Sequence, residues 1–491
     1  MSKDIVVIGA GFAGLTTAAL LGQAGYRVTL LEKNSTPGGR ARSWSDQGYT
    51  FDMGPSWYWM PEVFENLYAR FGKTTSDFYD LVRLDPGYRV YFGEKDFIDV
   101  PAGMNELEQL FDQLEPGSVP RLRSFLAQAE QKYRTGMSDF VFRPSLSITE
   151  FMDFRLIREA FRIQIFRSLR RHVRELFHHP RLITLLEFPV LFLGATPSNT
   201  PALYSMMNYA DLVLGTWYPM GGMGKIVDAL VQLCHENGVD IRLNEPVQKL
   251  ETNGKTVTAV VTSSARYTPS LVVSGADYHH TDQQLLPEES AGYTPSYWES
   301  RVMSPSSLLF YIGLNRKLDG VIHHTLFFDE SFDAHADDIY TSPAWPKRPL
   351  FYTSAASVTD PAVAPPGGEA LVILIPLAPG LQDSEMERER QYQIVMDRFE
   401  SLTGQKIRDH VVTKRSYAMT DFSRDYHSFK GNAYGLANTL SQTAILKPRL
   451  RSAKLRNLFF TGQLTVPGPG VPPSLISGQV VAGLIEKEYP I

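Results

Sequence analysis

The run Ile5-Val6-Val7-Ile8, followed at once by Gly9-Ala10-Gly11-Phe12-Ala13-Gly14, constrains this chain more than any other segment. Four β-branched residues without a polar break read as a buried parallel strand. Gly9 then permits a tight turn, Gly11 lets backbone approach a pyrophosphate, and Gly14 lets helix pack on strand. Leu15, Ala18, Ala19 and Leu21 continue as a helix whose N-terminal N–H groups and dipole face the phosphates. Gly25 ends that helix. A second apolar strand, Val28-Thr29-Leu30-Leu31, ends at Glu32, eighteen residues after Gly14. An acid there accepts hydrogen bonds from a ribose diol and repels a 2′-phosphate, which argues against NADP.

The next segment separates FAD from NAD. Pro37-Gly38-Gly39-Arg40-Ala41-Arg42 offers a second pass of backbone beside the pyrophosphate. Its arginines can meet phosphate oxygens with a planar fork. Far downstream, Gly462-Gln463-Leu464-Thr465-Val466-Pro467-Gly468-Pro469-Gly470-Val471-Pro472-Pro473-Ser474 forms a Pro/Gly hook before a helix expected over Ser474–Glu488. Pro472 or Pro473 suits its first turn and Ser474 could cap it. The N–H groups of Gly470 and Val471 could then face a flavin ring edge, with the helix dipole favouring negative charge on the reduced ring.

At 491 residues the chain has room for two domains. A net charge of −5 gives no basic field, so nucleic acid is not an expected partner. The single cysteine, Cys234, lies in a helical pattern and reads as a buried thiol, which excludes an internal disulfide. The N-terminal apolar run is too short for a signal peptide. No segment holds the roughly 20 apolar residues that a membrane span needs. The expected location is therefore cytoplasmic, with any membrane contact peripheral.

Further pieces of a nucleotide domain recur along the chain. Tyr218-Pro219-Met220-Gly221-Gly222 precedes a helix over Ile226–His235, and strands are expected at Val239–Leu243 and from Val247. Asn253-Gly254 marks a hairpin leading to Val257–Val261. That hairpin with Leu271-Val272-Val273 reads as a three-stranded meander, and Leu458-Phe459-Phe460 reads as a strand ending in glycine. The nucleotide domain is thus expected to be discontinuous, over 1–75, 219–290 and 453–491. A substrate domain would take 76–218 and 291–452, with loops near 341–347 and 359–368.

These motifs together resemble the glutathione-reductase-type FAD fold, and within it the amine-oxidase/phytoene-desaturase branch. The tail pattern through Ser477-Gly478, the opening GAG-F-x-G, PGGRA, Asp52-x-Gly54-Pro55 and Trp217-Tyr218-Pro219 are similar to bacterial-type carotenoid desaturases. Many members of that family carry His where this chain has Val466. No cysteine lies near the C-terminus, so the flavin is expected to be noncovalent. The resemblance implies an α/β Rossmann-like FAD domain and a mixed α+β substrate domain with a helical membrane-associating part. The expected cofactor-binding residues are Gly9, Gly11, Phe12, Ala13, Gly14, Glu32, Lys33, Gly39, Arg40, Ala41, Gly54, Pro55, Val247, Gly462, Gln463, Gly470, Val471 and Ser474. It also implies FAD-dependent removal of hydrogen from phytoene or a later, possibly hydroxylated, carotenoid. Charge developing on carbon would spread over the polyene, so orientation would dominate and no catalytic residue is assigned. A redox-neutral carotenoid isomerase, a lipid-handling protein like the GDP-dissociation inhibitors, and an amine or protoporphyrinogen oxidase are the competing readings.

Trp57-Tyr58-Trp59 follows Gly54-Pro55 and is expected to wall a polyene tunnel, with Phe188, Phe192, Leu193, Tyr204 and Met207 as further candidates. Residues 154–177 hold seven arginines against Glu159 and Glu175, with apolar residues at 157, 161, 165, 169, 173 and 176. That spacing predicts a basic amphipathic helix able to lie among anionic headgroups. Glu150, Asp153 and Arg155 are weak acid/base candidates. The histidine pairs 178–179, 279–280 and 323–324 match no zinc spacing, and no metal site is expected. Oligomeric state is not legible.

Overall fold

The computed structural model of the chain describes residues 3–147, 150, 167–193 and 196–491. The opening run forms strand β1 (Asp4–Ile8), helix α1 (Phe12–Gln23) and strand β2 (Arg27–Leu31). Gly25, at φ +93°, turns the chain out of the helix. Both strands enter a five-stranded parallel sheet ordered Leu458–Phe460, Leu271–Ser274, β1, β2, Asp240–Arg242. Pieces from the start, the middle and the tail of the chain therefore build one sheet. Such strands are covered on both faces, which is why they are apolar throughout.

The C-terminal helix, Val471–Glu488, lies against α1. Its Gly478 makes the approach possible: a Cβ there would sit 2.7 Å from the Ala13 carbonyl oxygen. Thr17 donates its hydroxyl to the Gly478 carbonyl at 3.2 Å across the same contact. Cys234 is buried on the neighbouring helix Gly224–Glu236.

The meander differs from expectation. Val247–Asn253 and Thr256–Thr262 do pair around Asn253-Gly254, but the third strand is the short Arg266–Tyr267. Leu271–Ser274 belongs instead to the parallel sheet, where all four of its residues are buried. A run with no polar face cannot serve a sheet that is wet on one side.

The remaining chain builds a seven-stranded sheet ordered Val411–Tyr417, Ser306–Leu314, Glu369–Leu377, Phe351–Ser354, His324–Phe327, Tyr88–Gly93, Asp96–Val100. Pairing is antiparallel except between His324–Phe327 and Tyr88–Gly93. Ser306–Leu314, paired on both sides, is buried along its whole length. Helices Met104–Leu114, Val119–Thr135 and Pro180–Glu187 cover part of this half around Phe111, Phe125 and Phe177.

The expected continuous helix over 154–177 is corrected where it is described. A helix begins only at Leu169, capped by the Ser168 hydroxyl, and ends at Arg174. Leu169, Val173 and Phe177 are fully buried in the protein's own core, so this part of the stripe is not free for lipid. Arg170 and Arg174 pair with the buried Glu187, and Arg167 and Arg171 with Glu175. Residues 154–166 lie outside the described residues, as do Asp153 and Arg155. Among the described residues no helix is long and apolar enough to cross a membrane.

Candidate functional site

One cavity of about 510 Å³ runs between the two sheets and joins the glycine turn to a wall of aromatic side chains. Its first end is the βαβ crevice. Gly9, Gly11, Phe12 and Ala13 line it beside Glu32, Lys33, Gly39, Arg40 and Ala41. Gly14 does not line it but sets its shape, since a Cβ there would sit 2.0 Å from the Gly9 carbonyl oxygen. A Cβ at Gly11 would meet nothing within 4 Å, so that position opens onto empty space.

Glu32 is 4% exposed and accepts N–H groups from Ala10 (2.8 Å) and Asn34 (2.9 Å). Oε1 also accepts the Asn34 side-chain amide at 2.8 Å, so the lone pair left for a diol is on Oε2, which takes only the Ala10 N–H. Arg40 is held from above by a strap in the other half of the molecule. Its Nη2 donates to Ser428 Oγ and the Asn432 carbonyl, and its guanidinium lies 5.0 Å from the Tyr426 ring. Arg40 Nε is buried with no partner, an orphaned donor lining the crevice. Burial lowers the Arg40 pKa while the nearby Asp277 opposes that, and burial pushes Asp277 up to about 6. The same strap ties Asp425 to Arg42 at 2.8 Å and the Arg424 carbonyl to Lys33 Nζ at 2.6 Å. Stacking of His427 on His280 completes the closure. The strap was not legible in the sequence, because its partners lie almost four hundred residues away, with Arg42 and Asp425 separated by 383.

At the middle of the cavity sit Gly54, Pro55, Gly462, Gln463, Pro467, Pro469, Gly470 and Val471, with Val247 on the nucleotide side. Gly470, at φ +116°, is the N-cap of the C-terminal helix and takes a backbone angle that side chains avoid. Pro472 and Pro473 have no N–H, so Val471 carries the donor of that turn. Ser474 lines the cavity but does not cap the helix; its hydroxyl donates backwards to the Gly470 carbonyl at 2.7 Å. The helix starts three residues earlier than expected because the prolines suit its first turn.

The other end is apolar. Trp57 and Trp59 line it, joined by Phe188, Tyr204 and Met207. Tyr58 does not. Along an extended segment alternate residues face opposite ways, and Tyr58 stacks on Phe64 at 4.2 Å and meets the Tyr79 hydroxyl at 3.0 Å in the nucleotide-side core. The side chains of Phe192 and Leu193 lie outside the description. Glu150 receives three backbone N–H groups from residues 145–147 and is absent from the lining.

The empty turn at Gly11, the orphaned Arg40 donor and the placed Glu32 carboxylate fit a dinucleotide with two phosphates. The continuing cavity has room for a ring beyond it.

Comparison with known proteins agrees with this geometry. The sequence profile of flavin-containing amine oxidoreductases matches residues 12–485. The chain is 40% identical to a carotenoid 3,4-desaturase of Haloarcula japonica, over 99% of this chain and 98% of that one. It is 30% identical to a zeta-carotene-forming phytoene desaturase of Myxococcus xanthus (98% and 93%) and to a lycopene-forming phytoene desaturase of Pseudescherichia vulneris (99% and 99%). Its fold is similar to that of an oxidoreductase from Methanosarcina mazei, with TM-score 0.66 at 17% identity over 98% of this chain and 100% of that one. It is also similar to cyclohexylamine oxidase of Brevibacterium oxydans, with TM-score 0.60 at 14% identity over 99% of both chains.

Proposed function

Because the chain belongs to the flavin-containing amine oxidoreductase family, we propose that it is an FAD-dependent carotenoid desaturase acting near one end of a long polyene. The observation that carries this reading is the end-to-end likeness to a carotenoid 3,4-desaturase, in a chain whose one large described cavity passes from a dinucleotide crevice to an aromatic, apolar wall.

Bound FAD supplies the acceptor for a hydride and its electron pair. The residues of this chain do the rest. Glu32 takes the ribose diol, Gly11 and Gly39 admit the pyrophosphate, and Arg40 faces it under the Tyr426–Ser428 strap. Gly54, Pro55, Gly462, Gln463 and Val471 surround the ring region, with the helix N-terminus favouring negative charge there. Trp57 and Trp59 hold the polyene flat, and orientation of the reacting bond supplies much of the rate. The apolar wall keeps water from the reacting carbons.

A carotenoid is insoluble in water, so the protein takes it from a bilayer. The basic stretch 154–166, with Arg155, Arg158 and Arg162, supports peripheral contact with anionic lipid. The test of the function is anaerobic mixing of FAD-loaded protein with carotenoids in liposomes. Bleaching of the flavin together with a carotenoid product two hydrogens lighter is expected. An unbleached flavin with every linear carotenoid, hydroxylated or not, overturns the reading.

A further inference from the structure

Loss of two hydrogens from neighbouring carbons releases one as hydride and one as a proton, and the proton needs somewhere to go. Among the described residues, the carboxylates lining the cavity, Glu32, Glu245, Asp277 and Asp425, all belong to the nucleotide end. Two histidines lie near the apolar end. His335 lines the cavity, but both its nitrogens are committed: Nδ1 accepts the Leu350 N–H at 3.1 Å, and Nε2 donates to the Pro376 carbonyl at 2.9 Å. It has no site left for a proton.

The other is His324, fully buried behind the wall. Its Nδ1 lies 2.6 Å from the Tyr352 hydroxyl, and that hydroxyl lies 2.8 Å from Ser56 Oγ. Ser56 and Tyr352 both line the cavity, and Ser56 directly follows Gly54-Pro55. The sheet sets this up: His324 pairs with Ser354 and Leu326 with Tyr352, so His324 and Tyr352 stand two registers apart on one face. With the His324 proton on Nε2, Tyr352 donates to Nδ1 and Ser56 donates to Tyr352. Both hydroxyls then point inward, and a lone pair of Ser56 faces the cavity. Trp57 stacks on the far side, its ring 4.3 Å from that of His324 and within 8° of parallel. An indole face stabilises an imidazolium.

We infer that Ser56, Tyr352 and His324 form the relay that accepts the proton released in desaturation, with Ser56 the group that meets the substrate and His324 the terminal acceptor. This rests on the desaturase reading above. The step balances. One C–H bond breaks with its electron pair passing to bound FAD, which is reduced. The adjacent C–H bond gives its electrons to the new C=C bond, and its proton passes to Ser56 as the Ser56 proton moves to Tyr352 and the Tyr352 proton to His324 Nδ1. Burial holds His324 well below the usual histidine range, so it starts neutral. A weak base suffices, because a carbon cation conjugated to a polyene is a strong acid.

The test compares wild type with Tyr352→Phe and His324→Gln, each loaded with FAD and mixed anaerobically with carotenoid in liposomes. Expected is a loss of about a hundredfold or more in the bleaching rate at saturating carotenoid, with flavin content and KM within about twofold. Bleaching within threefold of wild type, or a loss that follows lost flavin or carotenoid binding, overturns the relay. A wild type that never bleaches overturns the desaturase reading and the relay with it. A readout independent of turnover is the nitrogen-15 spectrum of selectively labelled histidine. The His324 Nδ1 resonance is expected to move in Tyr352→Phe while the other resonances hold; an unmoved resonance removes the hydrogen bond on which the relay depends.

Discussion

The carboxylate of Glu32 accepts the backbone N–H of Ala10 at 2.8 Å, so the acid ending one strand is tied to the glycine turn that ends its neighbour. The residue expected to hold a ribose therefore also holds the loop that receives the phosphates. Replacing Glu32 by Ala leaves the N–H groups of Ala10 and Asn34 without that partner, at a cost of about 1–3 kcal/mol for each group left buried. FAD affinity is expected to fall more than tenfold, read by fluorescence titration, with a lower urea midpoint for the FAD-free protein. Wild-type affinity in this variant would remove Glu32 from the site.

Gly11 and Gly14 should separate binding from folding. Gly11 has extended backbone angles and open space at its Cβ. Gly11→Ala is expected to fold with an unchanged Tm when free of flavin and to lose FAD. Gly14→Ala drives a methyl into the Gly9 carbonyl and should lower Tm in either state. Thermal scans with and without FAD decide the matter; equal behaviour of the two variants contradicts the assignment.

Burial pushes the Asp211 carboxyl up to about 7. Tyr88 donates to it at 2.9 Å. The folded pKa lies above the ordinary value near 3.8, so the folded protein holds the proton more tightly than the unfolded chain between about pH 4 and 7. Stability from this group is full at low pH and is lost as pH rises through that window. Asp211→Asn removes the dependence. The difference in Tm, variant minus wild type, should climb by a few degrees from pH 5 to 7 and level off above; a flat difference would show an ordinary carboxyl.

Tyr58 and Trp59 are neighbours in sequence with opposite duties. Tyr58→Phe is expected to cost about 1 kcal/mol through the lost Tyr79 hydrogen bond. It should leave carotenoid binding alone. Trp59→Ala opens the cavity wall and should weaken carotenoid binding and flavin bleaching. Measured KM and unfolding midpoints for the pair distinguish the two sides of this segment.

Lipid contact has its own check. Arg155→Glu with Arg158→Glu and Arg162→Glu is expected to abolish flotation with anionic liposomes while flavin content stays at the wild-type level. Flotation that persists, or that is equal on neutral vesicles, refutes an electrostatic dock through 154–166.

The nucleotide end was legible because its chemistry is local. Gly9 to Gly14 lie within one βαβ unit, Glu32 and Gly39-Arg40 follow within ten residues of its end, and each spacing has a steric or electrostatic reason. The aromatic wall was half legible: Trp57 and Trp59 point into the cavity, but without a known register Tyr58 could not be assigned to the other face. Leu271-Val272-Val273, expected in the meander, lies instead in the parallel sheet, because a short apolar run does not state which strand will cover it. The spacing of His323-His324 speaks only against a zinc site. The chain offered no sign that His324 would meet Tyr352 and Ser56.

The sequence by itself determined the dinucleotide fold, the FAD preference and the family, since turns, glycines and helix termini act over a few residues. The tertiary structure decided the seven-stranded sheet, the strap that closes on Arg40 and the Ser56–Tyr352–His324 chain. Those depend on β-register and on contacts between residues hundreds of positions apart, where one residue of slip would turn each side chain to the opposite face.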